Sequence, residues 1–246
     1  RRGFEALRRA GQLADYPAMG WESMEKRARV SPFTLRHELD VLSTKAAMVA
    51  ALRTSPQHRV GEFCTWPRLF TFKARQQTAD GYGRVVTMKP DAFLRIEIDN
   101  GTALRQSSFY IELDRSTETQ QNLRGRASGY LDFYRSGGFA KRCGQVAENY
   151  RQFPFRVLWI FRNAERRNNA AESFLRHHPP ILTMAWLTTF DELIKNPVGA
   201  IWIRPLGLPH VWGTLLGDRI MPVQGASHVT TQIFTRVQTL GGQTRQ

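Results

Sequence analysis

Cysteine is nearly missing from this chain. Cys64 and Cys143 stand far apart and outside any CxxC, which argues against a disulfide framework or a zinc ribbon and points to a reducing cytoplasm. No apolar run reaches the roughly 18 residues that a membrane span needs. Even Phe155 to Phe161 has only strand length, so no membrane partner is expected. There is no secretory signal, and the opening Arg1-Arg2-Gly3, without methionine, suggests that residues precede it. Lysine is scarce as well, with six among 35 basic residues, a bias that a GC-rich genome alone would produce. Internal repeats are lacking. What remains, 41% hydrophobic and 23% charged residues over 246 positions, is the composition of a soluble globular protein with one sizeable core or a core domain with a small appendage.

The formal charge is +14, and residues 120–170 carry half of it, with ten basic against three acidic residues. Such a basic surface suits a polyanion, or only solubility. Immediately before it, Phe109, Ile111 and Leu113 alternate with Tyr110, Glu112 and Asp114, a period of two that sends the sets to opposite faces of a strand. Asn100-Gly101 predicts a hairpin that brings the strand carrying Asp91 alongside. Asp91, Glu112 and Asp114 would then converge, and three carboxylates repel unless a cation such as Mg²⁺ or Mn²⁺ lies among them. The plainer expectation is that Asp91 caps a turn while the other two are solvated.

Along the chain, Phe4, Leu7 and Ala10 share a helical stripe with Arg1, Arg2, Arg8 and Arg9 around it and Gly11 as its stop, like the end of a winged helix-turn-helix. Residues 17–30 read as a connector. Ser31-Pro32 opens a helix whose apolar positions are Phe33, Leu35, Leu39, Leu42, Ala46, Val49 and Leu52, with His37 as a structural residue. Val60 to Ala74 and Arg84 to Met88 read as strands. Thr117-x-x-Gln120 resembles a capping box ahead of a helix on Leu123, Ala127, Tyr130, Leu131 and Tyr134, which Gly137-Gly138 ends. Phe155 to Phe161 should be a strand covered on both sides. Asn163–His178 reads as a helix, Ile181–Leu187 as a strand, Thr189–Asn196 as a helix and Ala200–Arg204 as a strand. The expected organisation is therefore residues 1–30 as a winged-helix remnant with linker, 31–205 as an α/β domain of αβββαβ order, a mixed sheet flanked by helices, and 206–246 as a β-rich extension or partner-binding tail.

The helix with His37, Lys-Pro-Asp-Ala at 89–92, Phe-Tyr-Ile-Glu-Leu-Asp-Arg-Ser-Thr-Glu at 109–118, the Leu123–Tyr134 helix and Phe-Pro-Phe-Arg-Val-Leu at 153–158 resemble the replication-relaxation family of plasmids and conjugative elements. The resemblance covers about residues 1–205 and implies a restriction-endonuclease-like domain distantly similar to PD-(D/E)XK nucleases. It implies Asp91 as the nuclease motif's first acid and Glu112 as its second, with Asp114 where that motif's lysine is expected; Lys89 and Lys73 are the nearby lysines, and Arg115 or Arg124 could supply charge. On this reading the protein processes DNA of a mobile element. Asp91, Glu112, Asp114 and Lys89 would be catalytic around Mg²⁺ or Mn²⁺, and Arg124, Arg126, Lys141, Arg142, Arg151, Arg162, Arg166, Arg167, Arg8 and Arg9 would hold phosphates. A second reading is a non-catalytic DNA-binding or assembly factor working with other proteins of a replication or transfer complex. A third is transesterification by Tyr130 or Tyr134, although His177-His178 is an isolated pair rather than a metal-binding triad.

Overall fold

The structure, a computed structural model, describes residues 1–14, 20–66, 68, 70–77, 83–99, 101, 104–115, 118–176, 184–205, 211–215 and 220–221. Helix α1 (Arg2–Arg9) precedes α2 (Trp21–Ala28), and Phe4 meets the Trp21 ring edge-on at 6.0 Å. The connector expected at 17–30 is thus helical over much of its length. Its Trp-Glu-Ser-Met-Glu-Lys-Arg-Ala run contains no glycine or proline, and Glu25 pairs with Arg29 one turn on at 2.9 Å.

Helix α3 (Pro32–Arg53) starts where expected, with Ser31 Oγ accepting from Thr34 N at 3.2 Å and Pro32 in the first turn. Its buried residues are Val41, Thr44, Met48 and Leu52. Leu35, Leu39 and Leu42, expected on its apolar face, stay 52–53% exposed. The helix carries two apolar faces, and periodicity alone does not say which one meets the sheet.

The strands are β1 (His58–Thr65), β2 (Phe72–Gln77), β3 (Gly83–Met88), β4 (Ala92–Asp99) and β5 (Leu104–Asp114). Next come α4 (Gln120–Arg135), α5 (Gly138–Arg142), a 3-10 turn at Ala147–Gln152, β6 (Phe155–Phe161), α6 (Ala164–Leu175), β7 (Ala185–Thr189), α7 (Phe190–Lys195), β8 (Trp202–Arg204), β9 (Val211–Gly213) and β10 (Ile220–Met221). Eight strands form one mixed sheet in the order β1-β4-β5-β6-β7-β8-β9-β10. The β4–β5 hairpin is antiparallel with Ala92 opposite Ile111, and β6 joins β5 in parallel with Phe161 opposite Asp114. The first of these pairings was expected. Because β9 and β10 extend the same sheet, the described part of 206–246 belongs to it.

The expected strand from Val60 to Ala74 is divided, and its second half pairs with β3 in a separate antiparallel ribbon outside the sheet. On one face of the sheet, α3 and α7 cover Leu94, Ile96, Phe109, Ile111, Leu158 and Ile160. The other face bears α4, α5, α6 and the ribbon over Phe93, Tyr110, Phe155, Val157, Trp159 and Phe161. Burial on both sides accounts for the uniform apolarity of β6. Thr119, not Thr117, caps α4, its side chain accepting from Asn122 N; Thr117 lies outside the described residues. Lys141 and Arg142 end the short α5.

Candidate functional site

Glu112 and Asp114 leave β5 on the face that carries α4, and Asp91 stands just before β4, where its backbone N–H donates to Ile111 O at 3.0 Å. All three line one cleft of about 230 Å³ at the carboxyl ends of β5 and β6, together with Phe33, His37, Arg115, Glu118, Arg126 and Trp159. The hairpin and the period of two therefore bring the acids into one site. They are not solvated, since Glu112 is 4% and Asp114 7% exposed.

Each acid is already partnered. Asp91 Oδ1 faces His37 Nε2 at 2.9 Å, and Oδ2 accepts from Leu113 N at 2.7 Å. Glu112 Oε2 accepts from Arg126 Nη2 and Oε1 from the Tyr130 hydroxyl, both residues lying on α4 one turn apart. Asp114 Oδ2 and Oδ1 accept from Arg166 Nε at 2.5 Å and Nη2 at 3.2 Å, and the same guanidinium donates to Glu118 O. Arg126 also reaches Glu118 Oε1 at 3.4 Å and Lys89 O at 3.5 Å. Every carboxylate oxygen of the trio thus has a donor. Among the described residues, two donors of the cleft, Arg126 Nε and Trp159 Nε1, and one acceptor, Glu118 Oε2, are buried without a partner.

Burial pushes the Glu112 carboxyl up to about 7 against the pull of Arg126, and neighbouring Asp91 adds to the rise. Conversely, the Glu112 charge holds Arg126 more firmly protonated. His37 is raised above 6.5, chiefly by its hydrogen bond to Asp91. It is therefore part of the site and not a bystander, a role that no local signal announces because its partner lies 54 positions away. A proton-linked test follows. By NMR the His37 ring should titrate above 6.5, and Asp91→Asn should lower that value; an unmoved titration would remove the dyad. The stability that this pair contributes is present below about 6.5 and lost as pH rises through the raised value.

Among the described residues, no three His, Cys, Asp or Glu side chains are grouped to hold a metal ion. A divalent cation at the trio would have to displace two guanidiniums, so the donor set as arranged does not fit a Mg²⁺ or Mn²⁺ shell. Lys89 is exposed, and only its carbonyl reaches Arg126. Lys73 lies on the ribbon, away from the acids. Arg115 lines the cleft, but its Nη1 donates to Phe33 O at 3.2 Å.

The residues expected to hold phosphate separate. Arg126 and Arg166 are bound to the acids, and Arg167, 5% exposed, is paired with Glu192 at 2.7 Å. Arg162 is exposed at the cleft end of β6, and Arg124 is half-buried on α4. Lys141, Arg142 and Arg151 are exposed on the segment leading into Phe155, at the other end of β6, roughly 20 Å along the strand. Arg142 lies over the Phe70 ring at 3.9 Å. Arg8 and Arg9 are exposed on α1, Arg8 beside Glu5 at 2.9 Å. The Tyr130 hydroxyl is fully buried and donates to Glu112 Oε1, and burial with the adjacent Glu112 raises its pKa well above the usual value. Tyr134 packs edge-on against Phe155 and Tyr150, while His177-His178 lies outside the described residues.

Residues 3–148, more than half of the chain, match a family model described as replication-relaxation. No curated protein and no solved structure matches the chain.

Proposed function

This chain belongs to the replication-relaxation family, and from that premise we propose that it binds DNA during replication or relaxation of a mobile element, with an endonuclease-like domain whose acidic cleft serves binding and assembly in place of metal-dependent cleavage. One observation carries the reading. All six oxygens of Asp91, Glu112 and Asp114 are capped by donors of the chain itself, while Arg126 Nε and Trp159 Nε1 on the cleft wall find no acceptor among the described residues. Carboxylates neutralised in this way leave a cleft that can receive an anionic group such as a phosphate. The three antiparallel strands β1, β4 and β5, followed by α4 and parallel β6, support the endonuclease-like assignment.

The protein is expected to bind labelled duplex with an affinity that falls steeply with salt, and to leave supercoiled plasmid intact with Mg²⁺ or Mn²⁺. Arg162→Glu should reduce the log–log salt slope by about 0.9, since it removes one phosphate contact at the cleft end of β6. Plasmid nicking that disappears in Glu112→Gln would replace this reading by the nuclease one. Binding indifferent to salt would end both.

A further inference from the structure

The β2–β3 ribbon has one face on α4 and one in solvent, and the two differ sharply in chemistry. Phe72, Ala74 and Met88 are buried against α4; Phe72 stacks on Phe133 at 3.9 Å, and Arg75 N donates to Asp132 Oδ2 at 2.8 Å. Gly129 of α4 permits this approach, because a Cβ there would lie 3.0 Å from Met88 Sδ. The outer face presents Lys73 opposite Thr87 and Arg75 opposite Val85, with Lys89 following at the base, all exposed, Val85 at 60%. Among the described residues, no carboxylate forms an ion pair with the side chain of Lys73, Arg75 or Lys89. A Cβ at Gly83 would collide with Arg75 Cδ, so the glycine gives the arginine stem room to lie across the ribbon.

We propose that this outer face lies against a DNA duplex, with Lys73, Arg75 and Lys89 on phosphates, and directs the duplex towards the cleft; the proposal rests on the DNA-binding reading above. Lys73 and Arg75 are two positions apart on one strand, roughly 7 Å, a spacing comparable to that of successive phosphates. A two-stranded ribbon has the width that a major groove admits, and an apolar Val85 opposite Arg75 suits a thymine methyl or sugar. The ribbon is also rigid before binding, since its inner face is packed, so little ordering entropy opposes contact. Its base adjoins the cleft through Lys89, whose carbonyl is held by Arg126.

The test uses the full chain and a short labelled duplex. Lys73→Glu/Arg75→Glu should flatten the log–log salt slope by about 1.8 and weaken binding on the order of fifty-fold at about 0.1 M salt. A photo-crosslinking residue placed at Val85 in the otherwise unchanged chain should form a covalent adduct with the duplex, which decides the matter even if the double variant folds poorly. Undiminished binding by a folded double variant, or no adduct from Val85 while the wild type binds, overturns the ribbon proposal and leaves the DNA-binding reading standing; the outer charges would then serve to guard a sheet edge. No duplex binding by the wild type overturns both.

Discussion

Arg126→Met should cost about 3–5 kcal/mol of stability near pH 8 and much less near about pH 5. The guanidinium is the counter-charge of a carboxylate whose side chain is 5% exposed, and without it Glu112 is a buried, uncompensated anion. Protonation offers an escape. Burial already raises Glu112 to about 7 with Arg126 present, and removing the arginine must raise it further. The folded state then binds a proton that the unfolded chain releases near the ordinary value of 4.5. A raised carboxylate favours folding below that value, and this advantage is lost as pH rises through the folded-state pKa. The wild type should accordingly lose stability between about 4.5 and 7, Glu112→Gln should flatten that slope, and Arg126→Met should steepen and extend it upwards. Urea unfolding at several pH values measures all three. Equal destabilisation by Arg126→Met at pH 5 and pH 8 would mean that Glu112 is not the group left behind.

Why the sequence showed the acids but not their partners follows from how each is encoded. The hairpin and the convergence of Asp91, Glu112 and Asp114 come from local patterns, a period of two and an Asn-Gly turn, and each is legible within a dozen residues. The partners are set by packing between elements. Arg126 looks like a phosphate ligand in a basic segment, yet it lies three residues after Leu123 and four before Tyr130, on the stripe that faces the sheet. That spacing was a usable signal. Arg166 offered none, because its contact with Asp114 depends on β6 lying parallel to β5 and on Asn163 capping α6, whose side chain accepts from Arg166 N at 2.9 Å. The ribbon was hidden for a similar reason. Its strands alternate like those of the sheet, and only Ala74, Met88 and Gly129 reveal that their inner face meets a helix. The exposed Leu35, Leu39 and Leu42 mark the opposite limit, where an apolar stripe at helical spacing is real but the core uses the neighbouring one.

Arg166→Met should cost a comparable 3–5 kcal/mol, and its pattern across substitutions tells whether Asp114 is the group that Arg166 neutralises. Asp114 stands two residues after Glu112, where the nuclease-like motif would place a lysine, and its side chain is 3% exposed. A carboxylate there would repel Glu112 if both were bare. Arg166 resolves the conflict with a two-pronged contact and ties the end of β5 to Glu118 O ahead of α4. Lysine cannot reproduce that fork, so Arg166→Lys should still lose about 1.5–3 kcal/mol although the charge is kept. Asp114→Asn combined with Arg166→Met should be less damaging than the sum of the single changes, because the orphaned charge is gone. The measurement is a double-mutant cycle in urea. Strict additivity would show that Arg166 stabilises through something other than Asp114, and would free the carboxylate for a ligand of its own.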